Sequence, residues 1–304
     1  MLLFIEQLLN GLQLGIMLFL MSAGLTLVFG IMQVINLAHG SFYMIGAYVG
    51  ATVAARTGSF LLGLMAALPA SALAGMLVEL LVLRRLYKKE HLDQVLATFG
   101  LIMFFNELTR IVWGRQPLFM DVPSWLAGSV EIIHGVPYPS YRIAVIVVGI
   151  IVGVLLYLLF TRTRLGMQIR AGASNREMAA ALGVNIRLLY TLVFGLGTLL
   201  AGLAGVMAGP ILAVEAGMGE SVLILTFVVI VIGGIGSIRG ALVGALLVGL
   251  VDTLGRAFLP MLLRTIFSAA YADGVAASLA SMSVYILMAA ILVWRPKGLL
   301  PSIR

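Results

Sequence analysis

Arg142-Ile-Ala-Val-Ile-Val-Val-Gly-Ile-Ile-Val-Gly-Val-Leu-Leu-Tyr-Leu-Leu-Phe160 holds one charge, at its first position, and no proline. At about 1.5 Å per residue, such a run makes a helix of about 28 Å, close to the ~30 Å hydrocarbon core of a bilayer. Working outward, eight more apolar runs fit the same reading: 8–30, 37–55, 60–83, 95–113, 189–211, 221–236, 240–258 and 275–294. The 304-residue chain is 62% hydrophobic and 10% charged, where a soluble domain carries about a quarter charged residues. The expected fold is all-α: a polytopic membrane protein with about 8–10 transmembrane helices in a single domain over 1–304. Glycine and polar residues interrupt the first pair of runs and the 221–258 pair, so broken or Gly-interrupted hairpins are expected there. No Lys or Arg precedes the first run, Glu6 does, and the run is too long for a signal sequence, so it is expected to stay as a span.

Composition excludes several kinds of chemistry. The chain has no cysteine, hence no thiolate metal site, and His39, His91 and His134 are far apart. The Gly-rich stretch at 233–240 lacks the Lys and Ser/Thr of a nucleotide-binding loop, so the chain is not expected to hydrolyse ATP or hold a cofactor. The net charge of +7 is explained by loops on one side of a membrane and needs no nucleic acid. Arg84, Arg85, Lys88 and Lys89, Arg162, Arg164, Arg170, Arg176 and Arg187, Arg239, and Arg295, Lys297 and Arg304 fall on one side. Arg56, Arg110, Arg115, Arg142, Arg256 and Arg264 fall on the other. The richer side is the cytoplasmic one, which puts the N-terminus outside and the C-terminus inside. The outer loop 114–141, with Pro117, Pro123, Pro137 and Pro139, is expected to lie across the membrane surface.

Three stretches have the residues of a working site. In 35–48, Asn36, His39, Gly40 and Ser41 cluster where two apolar runs meet with almost no loop. Such groups either line a pathway or gate, or form a tight surface turn with Asn36 and Ser41 as caps and His39 bonded to backbone. In 233–244, Gly233, Gly234, Gly236 and Ser237 belong to the pathway or its gate as a hinge, or else the glycines, with Gly240-x-x-x-Gly244, serve close packing. The longest aqueous segment is 161–187. There Ser174-Asn-Arg-Glu177 reads as a capping box and Gly183 as a helix stop, giving a helix over Asn175–Leu182. A helix that short is marginal in water. Its knob of Met178, Ala179, Ala181 and Leu182 beside Arg176 packs either on its own membrane domain or in a partner's groove. Asp252 with Arg256, and Glu107 with Arg110, are spaced to pair on one helix face, and Glu79 is placed to reach the interface. Deep acid clusters of the proton-relay kind are missing, which counts against a stand-alone channel or secondary transporter.

Together these residues resemble the permease subunits of bacterial ABC importers for branched-chain amino acids, the shorter of two permease types. The resemblance runs through Gly24-Leu-Thr-Leu-Val-Phe-Gly30, Val34-Ile-Asn-Leu-Ala-His-Gly-Ser-Phe-Tyr-Met-Ile-Gly-Ala-Tyr48, Arg162-Thr-Arg-Leu-Gly166 and Ala180-Ala-Leu-Gly-Val184. It continues in Val231-Ile-Gly-Gly-Ile-Gly-Ser-Ile-Arg-Gly-Ala-Leu-Val-Gly244 and Arg295-Pro-Lys-Gly-Leu-Leu-Pro301. The turn departs from the family at Leu37, where Phe is common. The resemblance implies a bacterial inner-membrane location, a second related permease, two cytoplasmic ATPase subunits and a periplasmic substrate-binding protein. It implies an ATPase-coupling role for Leu165, Gly166, Arg170, Ser174, Arg176, Glu177, Met178, Ala181, Leu182 and Gly183. The substrate it implies is a branched-chain or other small amino acid. The family also serves urea, short amides and small carboxylic acids.

Overall fold

The nine apolar runs all become helices. The computed structural model describes residues 2–87, 89–133, 136–265 and 267–301; Lys88, His134 and Arg304, named above, lie outside the described residues. The helices are α1 (Leu2–Met32), α2 (His39–Thr57), α3 (Phe60–Val78), α4 (Arg84–Leu86), α5 (His91–Trp113) and α6 (Ser140–Arg162). They continue with α7 (Arg164–Ser174), α8 (Arg176–Ala181), α9 (Ile186–Ala208), α10 (Met218–Gly233), α11 (Ile238–Leu263) and α12 (Ala269–Trp294). A π-helical turn, Glu79–Leu83, joins α3 to α4 without a break.

Seven helices among the described residues are long and apolar enough to cross a membrane. The other two expected spans fall on α2, which opens with His39 and Ser41, and on α10, whose 16 residues reach only about 24 Å. This is a multi-pass, all-α membrane protein. The one small sheet among the described residues is an antiparallel hairpin of β1 (Ser129–Ile133) and β2 (Val136–Pro139), within the expected surface loop. The large exposed apolar side chains of α5 and α6, such as Phe104, Ile111 and Leu155, suit contact with lipid tails.

The chain forms two compact units. One gathers the residues up to Phe19, Ser124–Gly149, and the chain from Leu225 onward. Here Gly11-x-x-x-Gly15 of α1 lies against α11: a Cβ on Gly15 would sit 2.9 Å from the Ala245 carbonyl oxygen. The buried Tyr138 of the hairpin donates to Asn10 Oδ1 (3.2 Å), which also accepts from Arg142. Arg256 and Asp252 pair at 2.9 Å, as their spacing predicts.

The other unit comprises Leu20–Pro123 and Ile150–Ile224, and α9 is its centre. Small residues let α9 approach its neighbours closely, the usual solution for helix packing in lipid. Gly75 of α3 meets Thr198, Ser71 meets Gly202, Gly24 of α1 meets Gly197, and Gly46 of α2 meets Gly202. Arg110 and Glu107 pair at 3.3 Å on the exposed face of α5.

Candidate functional site

Alternate residues of the break between α1 and α2 are buried, while Gln33 is exposed and Ile35 and Leu37 are half-buried. After Met32 the chain turns at Gln33 (φ +54°) and runs without helix to Ala38, yet Val34, Asn36 and Ala38 are each at most 1% exposed. Its depth follows from its neighbours. Ile31, at the end of α1, is met by Tyr190 at the start of α9. The His39 ring instead lies against Gly24, which packs on Gly197, seven residues or about 10 Å further along α9. The irregular segment therefore runs back into the protein. Non-helical backbone at such depth is tolerated only inside protein or beside an aqueous cavity.

Polar groups in this region are only partly satisfied. Asn36 Oδ1 accepts from the Ala38 amide at 3.1 Å, a local cap, while its Nδ2 meets no acceptor. The His39 ring lies beside the Met21 backbone, but neither nitrogen reaches a geometry that completes a hydrogen bond. Tyr43 OH, Thr26 Oγ1 and Ser71 Oγ, buried in the same unit, also lack partners among the described residues. Ser41 is buried but does not cap α2. Gly40 packs on Gly219 of α10; a Cβ there would lie 2.3 Å from the Gly219 carbonyl oxygen. Of the surface-turn reading only the local bond at Asn36 is present; Asn36, His39 and Ser41 are all inside.

The 161–187 segment holds two helices where one was expected. Thr163 caps α7 through the Gly166 amide (3.1 Å). Gly166, Ile169 and Gly172 form its buried side, and Leu165 is half-buried. The N-cap lies one residue later than expected, with Met178 at the third helical position, where a capping box needs Glu or Gln. Asn175, not Ser174, caps α8, accepting from the Met178 amide at 2.9 Å, and α8 is Arg176–Ala181, shorter than expected. Ser174 is instead the last residue of α7. The stop at Gly183 is as expected. With φ +88°, Gly183 donates to Ala180 O and Val184 to Ala179 O, both at 3.0 Å, which is a Schellman motif. Ala179 is buried, whereas Arg170, Arg176, Glu177, Met178, Ala181 and Leu182 are exposed.

The 233–240 stretch belongs to the other unit and is a closed turn. Ser237 caps α11 through the Gly240 amide at 3.0 Å. Gly234 and Gly236 have φ of +105° and +82°. The Arg295–Pro301 tail closes over the turn: the amides of Leu299 and Leu300 donate to the carbonyls of Ile232 and Gly233 at 2.9 and 3.0 Å. Gly244 packs on Val229. Here the glycines serve close backbone contact.

One group was misread from the sequence. Glu79 does not reach the interface: it is fully buried and paired with Arg84. Its partners lie across the π-turn and 112 residues away in Thr191, so no local signal marks it. Residues 7–293 match the family described as branched-chain amino acid transport system / permease component. The chain is 32% identical to the high-affinity branched-chain amino acid transport system permease protein BraD of Pseudomonas aeruginosa, over 98% of this chain and 95% of that one. It is 30% identical to the corresponding protein LivH of Escherichia coli, over 84% and 87%. It is 28% identical to the ribose import permease protein RbsC of Escherichia coli, over 77% and 72%. No solved structure matches. The chain belongs to the branched-chain amino acid transport system permease family.

Proposed function

We propose that this chain forms half of the translocation pathway of an ATP-driven importer that takes up branched-chain or other small amino acids from a periplasmic binding protein. Its partners in this reading are a second related permease and two cytoplasmic ATPase subunits, in a bacterial inner membrane. The observation that carries the reading is similarity over nearly the whole chain to two amino-acid permeases, joined to a buried, polar helix break. Asn36, His39, Gly40 and Ser41 form the gate region. Gly233, Gly234, Gly236 and Ser237 support the pathway by holding α10 to α11. The exposed arginines and apolar knob of 161–187 seat on an ATPase. Outer Arg residues Arg56, Arg115, Arg142 and Arg264 are candidates for docking the binding protein.

The division of the loops between two sides has support from long-range contacts, and which side is inside rests on the excess of Lys and Arg. Leu118 pairs with Val214, joining two segments assigned outside. The tail pairs with the turn after α10, and Arg84 reaches Thr191, joining segments assigned inside. The test is reconstitution with the partner subunits and binding protein in liposomes. ATP-dependent uptake of leucine, exceeding uptake of ribose and urea, is the expected result. Uptake by the purified chain without ATP, or uptake of urea or ribose alone, would overturn it.

A further inference from the structure

Glu79 is the one fully buried carboxylate among the described residues, and four hydrogen bonds converge on it. Arg84 donates through Nε to Oε1 (3.2 Å) and through Nη2 to Oε2 (3.1 Å). Tyr87 OH donates to Oε1 (2.5 Å) and Thr191 Oγ1 to Oε2 (2.7 Å). Arg84 Nη2 also donates to Thr191 Oγ1 (2.8 Å). Burial and the Glu79 carboxylate hold the Tyr87 phenol far above its ordinary pKa, so it stays a donor. A buried ion pair contributes little net stability compared with apolar side chains of the same shape, and its best-attested use is to fix a register. Here the register is that of α3 against the first turn of α9. It is set at a π-turn, where the Arg84 amide bonds to the Glu79 carbonyl five residues back. Such turns recur at working sites.

What that first turn touches gives the register its use. Leu189 lies under Gly172 of α7. The next residue, Tyr190, stacks edge-on with Tyr87 (5.3 Å between ring centroids) and makes a long bond of 3.5 Å to the Ile31 carbonyl. Ile31 is in the last turn of α1, just before the buried break. The third residue, Thr191, holds Glu79. Three consecutive side chains thus face the 161–187 segment, the start of the break, and the buried carboxylate.

We propose that Glu79 is a positioning residue for transport: it locks the first turn of α9 to α3, so that movement of α7 and α8 reaches the buried break at 33–41 rather than being lost as slip between helices. This rests on the reading of 161–187 as the ATPase contact. Spatial continuity alone does not establish coupling, so the test measures coupling itself. Leucine uptake and ATP hydrolysis are measured on the same proteoliposomes of the complete importer with its binding protein. Thr191→Val keeps the shape of the side chain and removes the hydroxyl. It is expected to lower leucine moved per ATP at least fivefold while hydrolysis persists, and Thr191→Ser to restore the wild-type ratio. Glu79→Gln is expected to lower the ratio at least as far. Wild-type ratios in Thr191→Val and Glu79→Gln, or uptake and hydrolysis falling together in proportion, would overturn the proposal. Wild-type uptake in the same vesicles tests the parent reading by itself, so the two failures are distinguishable.

Discussion

The two helix breaks of this chain look alike in sequence and differ in kind. After α1, His39-Gly40-Ser41 is followed by Gly46 and Gly50. After α10, the glycines at 233–236 are followed by Gly240 and Gly244. The second break ends as a turn whose backbone groups are matched by a cap at Ser237 and by the tail amides of Leu299 and Leu300. The first is drawn inside and leaves Asn36 Nδ2 and both His39 nitrogens without completed bonds. Buried polar groups are normally paired, and an unpaired one costs about 1–3 kcal/mol. A fold can discharge that cost with backbone, as the second break does. The first break does not do so with groups of its own unit. The second break is therefore closed by the chain's own backbone, and in the function proposed above the first is the one placed at the gate.

The largest expected effect would break the second turn. Gly298 has φ +82°, and a Cβ there would lie 2.5 Å from the Gly234 amide nitrogen. Gly298→Val combines left-handed strain with overpacking, for a cost on the order of 3 kcal/mol. The purified protein is expected to melt well below wild type, and little is expected to accumulate in the membrane. A wild-type melting temperature would mean that the tail is not a structural clasp.

The next effect falls on the first break and has the opposite signature. His39→Leu removes two ring nitrogens that lack completed bonds, so stability should be unchanged or slightly raised. Leucine uptake is expected to fall at least tenfold. A lower melting temperature with normal uptake would show His39 to be a structural residue, and would erase the distinction between the two breaks.

Hydropathy alone located the nine helices of 16 residues or more among the described residues, because apolar runs of about 16–24 residues leave few alternatives. It could not assign depth. Whether Val34–Ala38 is a surface turn or an inward run depends on Gly24 and Gly197, which are far away in sequence. Glu79 looked like an interface residue because Arg84 is near it, whereas Thr191, which fixes it inside, is on another helix. Helix α7 escaped notice because its buried side is Gly166, Ile169 and Gly172, and two glycines carry almost no hydrophobic signal. Gly11-x-x-x-Gly15 is a packing motif legible in the sequence, but the pattern does not say that α11 is its partner.

The smallest effect concerns α8, which is neither clasped by a tail nor buried beyond Ala179. A six-residue helix in that position depends on its ends. Asn175 accepts from the Met178 amide, whereas Ser174 belongs to the preceding helix, so the two neighbouring residues should behave differently. Asn175→Ala is expected to cost about 1 kcal/mol locally. That is too little to change the melting temperature of the whole protein much, but enough to fray the helix and reduce binding-protein-stimulated ATP hydrolysis a few-fold. Ser174→Ala should leave hydrolysis within error of wild type. If Ser174→Ala had the larger effect, the capping box read from Ser174 and Glu177 would be the working arrangement when the segment is docked. The start of α8 would then shift by one residue on binding.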